Sequence, residues 1–141
     1  MRILALDVGS KRIGIAVSDE LGFTAQSYPL LERTHLAQDL EKIQEKIEAF
    51  QIGEIVVGYP VNLNGSVGPQ AKSIETFVEK LKEVISIPIR LWDERLSTMA
   101  AEKLMLEGDL SRQKRKKRID SLAAQWILQG YLESKRKFSK D

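Results

Sequence analysis

The sequence predicts an α/β protein with a three-layer mixed fold. Three strand-like segments open the chain, and helix and strand patterns then alternate through the rest of it, in the order β-β-β-α-β-α-β-α-α. With 141 residues, 43% of them hydrophobic and 30% charged, the chain has the size and composition of one globular domain with a real core. We therefore expect a single domain over residues 1–141.

The opening segment predicts a β-hairpin. Apolar residues alternate over residues 2–8 and again over 12–18, and a Gly-Ser-Lys-Arg turn separates the two runs. Asp7 ends the first run, where a carboxylate is costly to bury without a cation or hydrogen-bond donors. The sequence thus favours a metal or phosphate site at Asp7, and the alternative is a side chain that only caps the turn.

The middle of the chain reads as alternating strands and helices. After a third, partly exposed strand over 23–31, apolar residues at three- and four-residue steps predict a helix over 35–51, with Thr34 as its N-cap and Gly53 closing it. Residues 54–58 read as a buried parallel strand. A second amphipathic helix through 74–84 leads to another strand over 87–92.

Two helices are expected in the last third. Ser97 or Thr98 can cap a helix that runs to Leu106 and ends at Gly108, and a final helix spans about residues 119–134.

Composition excludes several classes of protein. No apolar run approaches the roughly 18 residues of a membrane span, and the start of the chain has no signal-peptide layout, so we expect a cytoplasmic protein without a membrane partner. Cysteine is absent, which leaves oxygen ligands or the lone His35 for any metal. That favours magnesium or manganese. His35 itself is interpreted as a surface residue at a helix start.

The net charge of +2 hides a basic cluster, which is typical of proteins that bind a phosphate backbone. Six cations fall within seven residues that contain no acid, and a basic tail begins at about residue 135. The alternative is a solvated loop and a frayed terminus. The six cations are Arg112, Lys114, Arg115, Lys116, Lys117 and Arg118.

Three further segments carry candidate chemistry at strand ends. The loop from Gly58 to Gly68 can point amides at an anion, although it lacks the ending of a P-loop and is equally readable as a surface loop. Asp93 and Glu94 follow a strand, and since neighbouring residues of an extended segment point to opposite sides, one of them is expected to face the cleft of Asp7 and the other to pair with Arg95 or cap the following helix. The alternative is that both only complement the dipole at a helix start. Asp120 falls in the first turn of the last helix, where it either serves chemistry or complements the helix dipole.

Four motifs in this order resemble the YqgF family, bacterial relatives of the RuvC Holliday-junction resolvases in the RNase H-like superfamily. They are LALDVGSKRIGIAVSD, GYPVNLNGSVGP, DERLST and IDSLAAQWILQGYL, and the resemblance spans nearly the whole chain. It implies an RNase H-like fold, with a mixed five-stranded sheet, an antiparallel N-terminal meander and helices on both faces. One departure is Asn64, where an Asp is common in relatives.

The resemblance also implies a site. Asp7, Glu94 and Asp120 would form an acidic triad around Mg²⁺ or Mn²⁺, with Asp93 as a possible fourth ligand. Lys11, Arg12 and Arg95 would contact phosphate oxygens beside the basic cluster.

The activity implied is metal-dependent hydrolysis of phosphodiester bonds. We rank processing of the 5′ end of pre-16S rRNA, free or in a pre-ribosomal particle, above cleavage of branched DNA. A junction resolvase should be a stable two-fold dimer, whereas this sequence shows no long apolar stripe for one and suggests a monomer or weak dimer.

Two readings from other classes remain open. A non-catalytic RNA-binding assembly factor would use the carboxylates structurally. A phosphate-binding, ATPase-like protein would share the sheet and the Asp-x-Gly hairpin, but such kinases use two domains of this kind and 141 residues supply one.

Overall fold

A computed structural model describes residues 1–61, 64–93 and 121–138. Within them, five strands form one sheet and three helices pack against it. The strands are β1 (Arg2–Val8), β2 (Arg12–Ser18), β3 (Ala25–Glu32), β4 (Ile52–Tyr59) and β5 (Ile89–Asp93), and the helices are α1 (Leu36–Phe50), α2 (Pro69–Val84) and α3 (Leu122–Phe138).

The sheet has the order β3-β2-β1-β4-β5. The first three strands form an antiparallel meander, and β4 and β5 run parallel to β1. The carboxyl ends of β1, β4 and β5 therefore meet at one edge, which we call the carboxyl edge.

Side chains alternate between the two faces of the sheet and build two cores. On one face, Leu4, Leu6 and Val8 pack with α1 and α2, and on the other, Ile3 and Ala5 pack with α3. The sheet is thus the middle of three layers. The predicted three-layer mixed α/β fold, with its antiparallel N-terminal meander and helices on both faces, is confirmed.

Several predicted boundaries were wrong by a few residues. The N-cap of α1 is His35, because the Thr34 hydroxyl instead donates to Gln38 Oε1 at 2.7 Å. Gln51, with φ of 54°, ends the helix before Gly53 does. Strand β5 starts at Ile89 rather than residue 87, since Pro88 has no N–H to donate and contributes only its carbonyl, which accepts from Ile55 at 2.9 Å.

The predicted helix from Ser97 or Thr98 to Leu106 lies outside the described residues, as do residues 119 and 120 at the expected start of the last helix. Helix α3 continues to Phe138, four residues beyond the predicted end. No helix in the three described ranges is long and apolar enough to cross a membrane.

Candidate active site

Asp7 lies at the carboxyl edge, next to the last residue of β1. It is half-buried and shares the face of Ile3 and Ala5, the face that α3 covers. Its partner across the hairpin is Gly14 of β2. The central strand thus presents one carboxylate towards the start of α3.

Gly14 is what allows the helix to approach this closely. A Cβ atom added there would lie 3.3 Å from the Cβ of Asp7, 3.4 Å from that of Ala124 and 3.5 Å from that of Ser121. The contact with Asp7 is tighter than most Cβ contacts, and those with Ala124 and Ser121 lie at van der Waals distance, so a side chain at this position would fill the space between the hairpin and the helix. The absence of a side chain at position 14 therefore brings the first turn of α3 against Asp7.

Two side-chain hydrogen bonds hold this end of α3 on the sheet. Ser121 Oγ donates to the carbonyl of Tyr28 at 2.7 Å, and Gln125 Nε2 donates to the carbonyl of Ala25 at 3.0 Å. Both acceptors belong to the backbone of β3. The chain position that directly precedes Ser121 is that of Asp120, which itself lies outside the described residues.

A second anchor, far along α3, is built on Glu54 of β4. This buried carboxylate accepts hydrogen bonds from the Tyr131 hydroxyl, from Lys135 Nζ at 2.9 Å and from Arg90 Nε at 2.9 Å. Burial alone would raise the pKa of Glu54, but the three donors and the Lys135 charge outweigh it and lower the pKa. Burial and donation to Glu54 raise the pKa of Tyr131. The carboxylate is therefore ionised and fixes the position of the helix along its axis.

The register of β5 separates Asp93 from Asp7. Gly58 pairs with Trp92 and Tyr59 with Asp93. The Trp92 ring packs edge-on against Tyr131 of α3, with centroids 5.6 Å apart, so Trp92 lies on the α3 face. Asp93 consequently lies at the carboxyl edge but on the opposite face from Asp7. Glu94 follows it in sequence, outside the described residues.

The turn after Asp7 carries the two predicted phosphate contacts from the hairpin. Lys11 and Arg12 are both exposed, and Arg12 Nε forms an ion pair with Glu32 at 3.1 Å. Arg33 holds the backbone of the turn through two hydrogen bonds. Its Nη1 donates to the carbonyl of Gly9 at 2.8 Å, and its backbone N–H donates to the carbonyl of Lys11 at 2.9 Å. The backbone from which Lys11 and Arg12 project is therefore held in place beside Asp7.

The glycine loop is organised by its own turn. Asn64 Oδ1 accepts from both the N–H and the hydroxyl of Ser66, at 3.0 and 2.7 Å, and Val61 bridges Val67. Residues 62 and 63 are outside the described set, which leaves the predicted role of this loop in binding an anion untested.

The described part of the site fits a hard divalent cation by its donor type. Asp7 offers carboxylate oxygens, the ligands that Mg²⁺ and Mn²⁺ prefer. Within residues 1–61, 64–93 and 121–138, no three His, Asp or Glu side chains are close enough to hold an ion. The remaining triad members, Glu94 and Asp120, lie outside these ranges, as do Arg95 and the basic cluster of residues 112–118.

Sequence reasoning missed four residues that shape this site. Gly14 was detectable, because a lone glycine inside a strand pattern often marks a close approach of another segment. The roles of Ser121, Gln125 and Glu54 depend on contacts between elements 77 to 100 residues apart, which no local pattern contains.

The model of the RuvX family, described as a Holliday junction resolvase family, matches residues 1–134. The chain belongs to the RuvX family.

A relative from Desulforamulus reducens is 51% identical over 134 residues, which cover 95% of this chain and 98% of the relative. A relative from Carboxydothermus hydrogenoformans is 52% identical over 137 residues, covering 97% and 99%. Both are named as candidate pre-16S rRNA nucleases.

Solved structures of resolvases share the fold. RuvC of Thermus thermophilus in complex with a Holliday junction substrate superposes with a TM-score of 0.68 at 15% identity, covering 99% of this chain and 97% of RuvC. The fowlpox virus Holliday junction resolvase gives a TM-score of 0.54 at 14% identity, covering 95% and 99%. RuvX family membership confirms the predicted family and nuclease class, and these structures confirm the RNase H-like fold.

Proposed function

We propose that this protein is a metal-dependent nuclease that hydrolyses phosphodiester bonds at the 5′ end of pre-16S rRNA, in the cytoplasm, during ribosome biogenesis. The observation that carries the RNA substrate is the identity of about half of all residues, over nearly the full length, to the two relatives named for that activity. The position of Asp7 at the carboxyl edge, against the start of α3, supports the nuclease chemistry.

Asp7, Glu94 and Asp120 are the proposed metal ligands. The register of β5 favours Glu94 over Asp93, because adjacent strand residues face opposite sides and Asp93 lies on the face away from Asp7. Asp120 is supported as a ligand because it directly precedes Ser121, which is held on β3 close to Asp7. Bound Mg²⁺ or Mn²⁺ would supply an activated water and neutralise charge at the phosphate during in-line displacement.

The residues of the chain itself would bind and orient the substrate. Exposed Lys11 and Arg12, on a turn held by Arg33, are placed to contact phosphate oxygens near Asp7, and Arg95 joins them in the proposal. The basic cluster of residues 112–118 and the tail from about 135 would add electrostatic attraction along the RNA. We propose one domain over 1–141, acting as a monomer or weak dimer.

The test compares two substrates for the wild type and Asp7→Asn. A labelled 5′ segment of the 16S precursor and a four-way DNA junction are incubated with Mn²⁺, and the product ends are mapped. We expect RNA cleavage that is lost in Asp7→Asn. Asp19→Asn is the matched control, because Asp19 is an Asp that only holds the β2–β3 turn by accepting from Phe23 and Thr24 at 2.7 and 2.9 Å.

Junction resolution is the second candidate, favoured by the family description and by the superposition on RuvC bound to a Holliday junction. Paired, symmetric nicks in the four-way junction with the RNA left intact would establish it in place of RNA processing. Cleavage of neither substrate would favour a non-catalytic RNA-binding factor.

A further inference from the structure

A polar cleft opens beside the turn that follows Asp7, on the face of the sheet away from α3. It has a volume of about 540 Å³. We call it the turn cleft, and define it by Ser10 and Lys11 of the β1–β2 turn, Thr34 and His35 at the start of α1, and Ser73 of α2. All five of these residues are exposed.

The turn cleft is attached rigidly to the candidate site. Arg33 bonds to the backbone of Gly9 and of Lys11, stacks over the Phe77 ring at 5.4 Å and pairs with buried Asp39 at 3.0 Å. One side chain thus joins the turn to α1 and α2. The cleft and Asp7 consequently lie on opposite faces but at the same carboxyl edge, with only the turn between them.

The charges around the cleft leave one cation uncompensated. Asp39 is paired with Arg33, and Glu32 on the rim is paired with Arg12 at 3.1 Å. Among the described residues, Lys11 forms no ion pair. The ligand that complements one ammonium group, an imidazole and three hydroxyls is an anion with hydroxyl groups attached, such as a ribose phosphate.

The size of the cleft suits a short segment of nucleic acid. Its volume is within the range of about 300–1,000 Å³ typical of sites for small molecules, which matches one or two nucleotide units. An occupant continuous with a phosphate at Asp7 must pass over the Gly9 to Lys11 turn. A single strand can make that crossing.

We propose that the turn cleft binds the single-stranded RNA segment next to the scissile phosphate, with Lys11 on a backbone phosphate and His35 and Ser73 beside the adjoining ribose. This inference rests on the proposed nuclease function and extends it, since it gives the path of the substrate across the carboxyl edge. A ribose 2′-hydroxyl can both donate to and accept from hydroxyl groups, so this path also offers a preference for RNA over DNA.

His35 makes the proposal directly testable, because it is the single histidine of the chain. The imidazole carbon–proton signals of ¹³C-labelled Asp7→Asn protein, which cannot turn the substrate over, are followed by NMR while the single-stranded precursor 5′ segment is added. Fluorescence anisotropy measures binding of the same RNA in parallel. We expect the His35 signals to shift along the binding curve.

Charge removal supplies the second measurement. In the same background, Lys11→Ala should weaken RNA binding about two- to fivefold, as expected for an exposed charge contact, and lower the slope of log affinity against log salt by about 0.7. Lys46→Ala, which removes a partly buried cation from α1 away from the cleft, should change neither. A 2′-deoxy version of the RNA should bind more weakly than the RNA itself. This difference should be present in the Asp7→Asn protein and kept when Lys46→Ala is added.

The outcomes separate this inference from the proposed function. RNA that binds while the His35 signals stay fixed and Lys11→Ala binds normally would overturn the turn cleft and leave the nuclease proposal intact. A His35 shift with weakened Lys11→Ala binding, in a protein whose wild type cuts no RNA, would support the cleft and overturn the nuclease proposal.

Discussion

At the scale of single residues, Gly14 decides how closely the last helix can approach the candidate catalytic carboxylate. Its missing side chain leaves room for Asp7, Ser121 and Ala124 to converge on one point. The glycine therefore serves the geometry of the site, because it sits in a strand where it would otherwise only weaken packing.

Gly14→Ala should move α3 away from Asp7. The added methyl would press on the Asp7 Cβ at 3.3 Å and touch those of Ala124 and Ser121 at 3.4 and 3.5 Å, and we expect this mild overpacking to cost about 1 kcal/mol of the free energy of unfolding. We expect the RNA cleavage rate to fall by more than binding does, since the methyl displaces candidate metal ligands. Single-turnover kinetics and urea unfolding measure the two effects.

Gly53→Ala is the matched control for that prediction. The three atoms nearest to its added Cβ all belong to the exposed, flexible side chain of Met1, which can move away. Stability and cleavage should stay close to those of the wild type. Equal loss of cleavage in both variants would contradict the role assigned to Gly14.

At the scale of elements, α3 is held at two places along its length. Ser121 and Gln125 fix its start on β3, and Glu54 fixes its middle on β4 through Tyr131 and Lys135. Since the residues lie about 1.5 Å apart along a helix axis, these anchors are roughly 15 Å apart. The position of the helix start is thus set by contacts at the start itself and by a second anchor further along the helix.

Glu54→Gln should lower the free energy of unfolding by about 1–3 kcal/mol at pH 7, because it weakens charge-assisted hydrogen bonds of a buried group. The pKa of Glu54 is lower in the folded state, so its stabilisation is complete above the unfolded pKa and is lost as the pH falls through the folded value. The wild type should therefore lose its advantage over Glu54→Gln progressively as the pH falls below 4.5, the ordinary pKa of a glutamate. Urea unfolding across this pH range measures it.

Glu83→Gln is the control, since Glu83 forms only an exposed pair with Lys80 at 3.8 Å. It should change stability by less than about 0.5 kcal/mol. A pH dependence in Glu54→Gln identical to that of the wild type would contradict the ionised anchor.

Some elements of the fold were predictable from the sequence and others were not. The hairpin around Asp7 and both amphipathic helices were predictable, because their signals are short-range periodicities. The N-cap of α1 was not predictable, since Thr34 and His35 are neighbouring candidates for this position. The Thr34 hydroxyl donates to Gln38 instead of capping the helix. The anchors of α3 were also beyond prediction, because they join residues far apart in the chain. The face of Asp93 required the register of β5 against β4.

At the scale of the whole molecule, the carboxyl edge carries Asp7, and the proposal adds Glu94 and Asp120 there, while the two cores hold the sheet and helices together. Converging carboxylates repel one another when no cation is present and raise one another's pKa. Such a site stabilises the metal-bound protein at the expense of the metal-free one.

Asp7→Asn should therefore be at least as stable as the wild type without metal. Mn²⁺ at about 100 times its dissociation constant should raise the wild-type unfolding temperature by roughly 5 °C or more, and leave Asp7→Asn unchanged. Calorimetry with and without Mn²⁺ measures both. Asp19→Asn should keep the metal-dependent rise, and an equal rise in Asp7→Asn would exclude Asp7 as a ligand.

We propose that Asp7, Glu94 and Asp120 act together in metal-dependent cleavage of RNA. Single-turnover cleavage of the labelled 16S precursor 5′ segment by the wild type, Asp7→Asn, Glu94→Gln and Asp120→Asn, each in Mn²⁺ and in EDTA, tests this directly. We expect cleavage by the wild type in Mn²⁺ only, and a loss of about a thousandfold or more in every variant. Cleavage in EDTA, or undiminished cleavage by Asp7→Asn, would contradict it.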